Sequence, residues 1–337
     1  MTDIDNKPEV AAPEELSEPM LIPVEAYVSE EYARAERDRL WRKVWLQVGR
    51  VEELPEVGSY LTYDILDDSI IVVRTGAGDS GSAFAAHHNV CMHRGRRLID
   101  TPEGAKNACG RTRRSFVCGF HGWTYGLDGA CTHIREQDDW KGALTPENTR
   151  LAPVNVDTWG GWLWINMDPA CEPLADYLFP ADKLLDHFGL ENMRYKWRRW
   201  LDFDCNWKVA LEAFNETYHV YTTHPEFNRF GEFKGWAKAQ GRHSNIGYDA
   251  PKDLEATKSK IRLGTGDDPR VSTAEMQMYT WEQTNATTTE TLVNAAKRLV
   301  DELPEGTPPD KVLEHWLASA RRDDEARGAD HPAGGAG

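Results

Sequence analysis

The sequence predicts an α+β protein of two domains, a small antiparallel β domain followed by a larger mixed one. Three observations carry that prediction. A helix-periodic segment precedes residue 50, a series of short β-rich runs follows it, and helix-like patterns return beyond residue 174. A chain of 337 residues is long enough to bury two cores.

Taken in order, residues 1–20 are acidic and proline-bearing and read as a disordered lead-in, without the basic and apolar stretches of a signal peptide. Residues 29–47 open on Ser-Glu-Glu, a helix-capping signature. Tyr32, Ala33, Leu40, Val44 and Trp45 then recur near helical period, so an amphipathic helix is expected and 21–47 forms an N-terminal helical region. Over residues 48–155 the runs SYLTYDI, SIIVVRT, AFAAHHNV, RSFVCG and THIRE, parted by Gly, Asp and Pro turns, read as strands of the small domain. WGGWLWINM at 159–167 reads as a closing buried strand. The second domain is expected over 156–330. In it, 174–200 is helical in tendency, and two helices split by a proline-rich turn follow residue 285. Residues 331–337 form a flexible tail.

A net charge of −16 argues against a nucleic-acid partner. No apolar run reaches the roughly 18 residues a membrane span needs. Of the six cysteines, Cys91 and Cys118 fall in Cys-His motifs; the other four are scattered, which fits free thiols in a reducing cytoplasm.

Two short segments pair a thiol with an imidazole: Cys91-Met-His93 and Cys118-Gly-Phe-His121. Two thiolates and two imidazoles suit a [2Fe–2S] cluster of the Rieske kind, in which two Cys hold one iron and two His the other. A Cys₂His₂ zinc site instead pairs Cys with Cys and His with His. A zinc-stabilised binding module stays open as an alternative. Both segments follow β-rich runs, so they are expected on loop tips at one end of the small domain.

A second constellation lies in NWKVALEAFNETYHVYTTHP, residues 206–225. On a helix, Glu216, His219 and His224 share one face. Pro225 distorts the helix end and lets the two imidazoles converge. Two His and one carboxylate can make a non-haem Fe(II) site with positions open for O₂. The competing reading is two histidines packed in an aromatic core.

These residues resemble the α subunits of Rieske non-haem iron oxygenases, the aromatic-ring-hydroxylating dioxygenases. C-x-H-R-G-x-x-L matches from Cys91 through His93, Arg94 and Gly95 to Leu98. F-x-C-x-x-H-G-W-x-Y matches from Phe116 through Cys118, His121, Gly122 and Trp123 to Tyr125. Asn206-Trp207-Lys208, Glu212, Glu216 and Tyr218-His219 with His224 match the catalytic signature. The resemblance covers about residues 22–320. It implies a Rieske domain joined to a helix-grip catalytic domain, with the cluster on Cys91, His93, Cys118 and His121. His219 and His224 would ligate mononuclear Fe(II), with O₂ as co-substrate, and Glu216 would carry the electron link, where Asp is the commoner occupant. It further implies a homotrimer, with or without a β subunit, fed from NAD(P)H through a ferredoxin or reductase. The substrate would be an aromatic or other apolar organic molecule, hydroxylated, dihydroxylated or demethylated.

Two departures stand out. The loop between His93 and Cys118 is longer than is usual in the family, around KNACGRTRR. The family's third iron ligand, a downstream Asp, has no counterpart: Asp301, Asp310, Asp323, Asp324 and Asp330 all sit in turns or charged helix ends. The chain is therefore expected to be truncated within an incomplete helix-grip domain, or to hold iron with two His. An electron carrier without oxygenase activity is the alternative function. Between residues 91 and 114, seven basic residues face two acids. Arg94, Arg96, Arg97, Arg111, Arg113 and Arg114 are the candidate docking patch for an acidic ferredoxin or reductase.

Overall fold

The run Ser69-Ile-Ile-Val-Val-Arg74 sets the centre of the first unit. Ile70, Ile71, Val72 and Val73 are all fully buried, so this strand is covered on both faces. Burial of each such side chain is worth about 1.5–3 kcal/mol. The structure is a computed structural model that describes residues 21–76, 83–195, 197–224, 234–249, 268–284 and 287–328. The expected lead-in 1–20, the tail 331–337, Pro225 and Asp330 lie outside the described residues. The chain divides into two compact units, one over Leu21–Arg194 and one beginning at Tyr195.

In the first unit β1 (Leu46–Arg50), β2 (Ser59–Ile65), β3 (Asp68–Arg74), β4 (Phe84–His88), β5 (Cys109–Arg111), β9 (Pro153–Trp159) and β10 (Trp162–Asn166) form one sheet. Its order is β1-β10-β9-β4-β3-β2-β5, antiparallel throughout. A smaller sheet, β6 (Ser115–Val117), β7 (Thr124–Gly126) and β8 (Cys131–His133), is antiparallel as well. The pleat of β3 explains how the two sheets meet. Ile70 and Val72 point into one core with Leu46, Leu61, Leu163 and Ile165. Ile71 and Val73 point the other way and pack on Phe116 of β6. The small sheet is thereby seated on the large one, and the loops leaving β4 and β6 come together.

The expected helix over 29–47 is shorter than its periodicity suggests. It runs as Glu30–Glu36 with Ser29 as its cap, continues as one π turn over Arg37–Trp41, and gives way to β1. The reason is non-local. Leu46 to Arg50 pair with Ile165 to Trp162, and Leu46 and Val48 enter the sheet core. The KNACGRTRR segment contains a strand as well as loop: β5 pairs with the edge of β2. The closing strand is β10, turned back from β9 at Gly160 and Gly161, both of positive φ. Residue 155 lies within β9, so the sheet and its unit continue past the expected domain boundary.

In the second unit the described residues hold one hairpin, β11 (Lys234–Gln240) with β12 (His243–Asp249), and helices Pro269–Thr284, Glu290–Glu302 and Pro309–Ala326. The last two are the pair expected after residue 285. Val312, Trp316 and Ala320 of one meet Ala295, Ala296 and Leu299 of the other. No described helix is long and apolar enough to cross a membrane.

Candidate metal centres

Two loops of different sequence spacing share one backbone design. After β4, the Cys91 N–H donates to the Arg96 carbonyl at 2.8 Å, and the Gly95 N–H donates to the Cys91 carbonyl at 2.9 Å. After β6, the Cys118 N–H donates to the Trp123 carbonyl at 2.8 Å, and the Gly122 N–H donates to the Cys118 carbonyl at 3.0 Å. Each loop thus closes on a glycine four residues after its cysteine, with φ of 73° at Gly95 and 75° at Gly122. A side chain with Cβ would strain that conformation. The histidine stands two residues after Cys91 but three after Cys118, which differentiates two otherwise equivalent hooks.

The hooks gather the four predicted ligands. Cys91 and Cys118 are buried, 2% and 3% exposed, in a core with Trp123, Tyr125 and Leu151. His93 and His121 lie toward solvent with ring centroids 4.6 Å apart, and Trp123 stacks on His93 at 5.0 Å. Burial pushes the Cys91 thiol above its ordinary value, while the Tyr125 hydroxyl pulls the other way. Burial, with His121 and Arg94 adding to it, holds His93 below the usual histidine value and so neutral at pH 7. Two thiols inside and two imidazoles outside fit the donor set of a Rieske cluster. Among the described residues no three His, Cys, Asp or Glu side chains converge on one point. The two-plus-two scheme needs no such group, because each iron takes two protein ligands.

Two positioning residues escape sequence reasoning. Asn89 is 1% exposed, and its amide donates to Ser69 Oγ at 3.1 Å and to the Ile99 carbonyl at 2.7 Å. Its side-chain oxygen accepts from the N–H groups of Leu98 and Ile99. It ties both ends of the Cys91 loop to β3. Its partners are distant in sequence, so no local signal marks it. Tyr125, fully buried, accepts from the Met92 N–H at 3.1 Å and lies 3.2 Å from Cys91 Sγ. A Cys91 thiolate, the form that ligates a metal, can only accept, so in that form the hydroxyl donates to the sulfur.

The six arginines of the basic patch do not act as one group. Arg96 pairs with Asp100, Arg97 with Asp64 and Arg111 with Glu56. Counting Glu56 and Asp64 lowers the local charge from +5 to +3. Arg94, Arg113 and Arg114 carry no ion pair among the described residues. Arg113 and Arg114 precede β6 whereas Cys118 follows it, a separation of about 13–17 Å along the strand.

The second constellation is built on a broken helix. Trp207–Glu212, capped by the Asn206 side chain, and Val220–Thr223, which follows directly on His219, are helical, and the chain turns between them. Glu216 therefore meets His219 across a turn, and not along a continuous helix. Its carboxylate accepts from the N–H groups of Tyr218 and His219 and contacts His219 Nδ1 at 2.5 Å. Those contacts hold the Glu216 carboxyl below its ordinary range, the His219 ring first among the causes. A ring fixed through Nδ1 presents Nε2 to a metal. The His219 and His224 rings lie 5.4 Å apart, so the two imidazoles do converge. Of the downstream acids, Asp323 is bound to Arg298 at 2.7 Å. Asp301 and Asp310 are exposed on the helix pair.

Both centres fall within segments that resemble known protein families. Residues 44–152 match the Rieske [2Fe–2S] domain, and residues 190–302 match the catalytic domain of the ring-hydroxylating alpha subunit. The carnitine monooxygenase oxygenase subunit of Acinetobacter baumannii is 29% identical over 60% of this chain and 52% of its own length. The glycine betaine monooxygenase oxygenase subunit of Chromohalobacter salexigens is 34% identical over 57% of this chain and 40% of its own. The crystal structure of a quaternary ammonium Rieske monooxygenase superposes with a TM-score of 0.59 at 26% identity, covering 69% of this chain and 62% of that one. The chain spans about half the length of the curated relatives it matches. The two families imply a Rieske cluster, mononuclear iron and O₂. With both domains present in this order, the chain is a member of the Rieske non-haem iron oxygenase α subunits.

Proposed function

We propose that the chain is the terminal oxygenase component of a multi-component oxygenase. Cys91, His93, Cys118 and His121 hold the cluster, and His219 and His224 hold mononuclear iron. The observation that carries this reading is the pair of matched hooks, which places two buried thiols beside two imidazoles. When bound, the cluster supplies single electrons and the mononuclear iron activates O₂. The chain's own residues set the conditions. Asn89 fixes the Cys91 loop, Glu216 orients His219, and the turn before Val220 brings His224 to the same side.

The substrate we propose is a small quaternary ammonium compound. The resemblance implies an aromatic or other apolar substrate, whereas the two relatives above are named for carnitine and glycine betaine. No disulfide joins any of the six cysteines, all of them among the described residues, which favours a reducing cytoplasm. A homotrimer fits a cluster that serves a neighbour's iron through Glu216, and a crystallised relative is described by inter-subunit electron transfer. A ferredoxin or NAD(P)H-dependent reductase supplies the electrons. Its docking rests on Arg94, Arg113 and Arg114. Reversing Arg113 and Arg114 to Glu is expected to slow electron transfer several-fold at low salt and to flatten its salt dependence. An unaltered rate and slope would rule out docking there.

Tyr125→Phe offers a check on the cluster ligands. A hydroxyl donating to Cys91 favours the electron-rich reduced form. Its loss, worth about 1 kcal/mol, is expected to lower the potential by about 40 mV. A dye-coupled titration reads this directly, and an unchanged potential would show that the proton points elsewhere.

One observation favours a second reading. No carboxylate joins His219 and His224 as a third metal ligand among the described residues, as an electron carrier without oxygenase activity would have it. Iron analysis of the purified chain separates the two. About three irons per chain supports the oxygenase, and about two, with no iron beyond the cluster, supports the carrier.

A further inference from the structure

Left-handed backbone is costly for residues with a Cβ. Among the described residues three adopt it: Leu66 (φ 51°), Glu136 (φ 55°) and Lys141 (φ 50°). Leu66 lies in the tight turn between β2 and β3, where such a conformation is routine. The other two have no hairpin to explain them. They bracket a single 3₁₀ turn, Gln137–Trp140, that follows β8 in the cluster sheet. The turn is closed by its own backbone, with the Asp139 N–H donating to the Glu136 carbonyl and the Lys141 N–H donating to the Asp138 carbonyl, both at 3.1 Å.

The effect of this turn is to deliver one side chain. The Trp140 ring stands edge-on to His93 at 5.8 Å and 81°, and edge-on to Trp123 at 6.0 Å and 74°. Trp123 lies nearly parallel to His93, at 8°, and His121 meets His93 at 71°. The His93 imidazole is therefore bordered by three rings. Trp123 and His121 belong to the Cys118 loop, and Trp140 arrives from outside both loops. Trp140 is itself 39% exposed and belongs to none of the hydrophobic cores. Core packing does not account for backbone strain at both of its flanks. It borders a hollow of about 530 Å³ with Phe120, His121, His133 and Arg135.

We propose that Trp140 is a positioning residue for His93. The strained turn holds the indole edge against the imidazole, fixes its plane against Trp123, and keeps bulk water from that side of the cluster. This rests on the reading that Cys91, His93, Cys118 and His121 hold a Rieske cluster. The sign of the effect follows from charge. Two ferric ions, two sulfides, two thiolates and two neutral imidazoles sum to a neutral oxidised cluster, and one added electron leaves it with a single negative charge. An apolar cover disfavours the charged form, so Trp140 lowers the reduction potential, and water admitted in its place raises it. Arg135, Glu136 and Asp139 stay the same in every variant below.

The test compares the full cluster-loaded chain with Trp140→Phe, Trp140→Leu and Trp140→Ala by dye-equilibrium titration and by the EPR spectrum of the reduced cluster. Trp140→Ala is expected to shift the one-electron equilibrium toward the reduced form by roughly three- to tenfold, or about 30–60 mV at 59 mV per tenfold, with a changed g-anisotropy. Trp140→Phe is expected to stay at the wild-type values, with Trp140→Leu between. Wild-type potential and spectrum in Trp140→Ala would overturn the proposal, even if its unfolding midpoint falls. If the alanine protein loads no cluster, equal potentials for Leu, Phe and wild type overturn it as well. A wild-type chain with no Rieske spectrum defeats the cluster reading itself, and the proposal with it.

Discussion

Cys118→Ser is expected to abolish cluster binding and to destabilise the first unit by about 4 kcal/mol or more. The change is nearly isosteric, so little of that loss comes from packing. What is removed is a soft thiolate, and the alkoxide of serine is a poor replacement for it. The two hooks meet where Cys91 and Cys118 enter the core with Trp123, Tyr125 and Leu151. A metal centre there ties β4 to β6, and its binding free energy is folding free energy. Visible absorbance, iron content and unfolding midpoint are expected to fall together. Cys131→Ser is the control, since Cys131 is half-buried against the same core but belongs to neither hook. It is expected to keep its colour and iron. A Cys118→Ser protein that retained two irons would remove Cys118 from the site.

Arg50→Ala is expected to cost about 3–5 kcal/mol, a fall of roughly 10 °C in the midpoint of the unit. Arg50 is 3% exposed, at the end of β1. Its guanidinium donates to Glu52 Oε1 at 2.9 Å and to the carbonyls of Gly160, Leu190 and Met193 at 3.0, 3.1 and 2.5 Å. It also lies over the Trp162 ring at 5.1 Å. Removing it leaves buried carbonyls without a donor and releases residues 190–193 from the sheet. Gly161 has φ of 76°, and a Cβ there would fall 2.6 Å from Arg50 Nη2, so the glycine makes room for this anchor. Arg50→Lys is expected to recover less than half of the loss, because one ammonium cannot reach all of these acceptors. Urea unfolding of the three proteins measures the difference.

The parts of the fold visible in the sequence are those fixed by local pattern. The Ile70–Val73 run, the Cys-His spacings and the last two helices each carry their signal within a few residues. The parts that escaped depend on distant partners. β1 is a strand because Trp162–Ile165 pair with it, more than a hundred residues downstream. β5 exists because β2 offers a free edge. Asn89 and Arg50 read as ordinary polar residues until their far carbonyls and amides are in place. The second centre was visible as composition but not as conformation. Glu216 and His219 meet, yet across a turn where helical geometry predicted a continuous face. Simple charge counting over residues 91–114 failed for the same reason, since Glu56 and Asp64 come from other strands.

The most direct test of the central claim is the low-temperature EPR spectrum of the dithionite-reduced full chain, taken with its iron and zinc content. Two hooks that hold a [2Fe–2S] cluster through two thiolates and two imidazoles predict a coloured protein with a Rieske spectrum, lost in Cys118→Ser and kept in Cys131→Ser. A colourless protein with one zinc per chain and no EPR signal on reduction would contradict it.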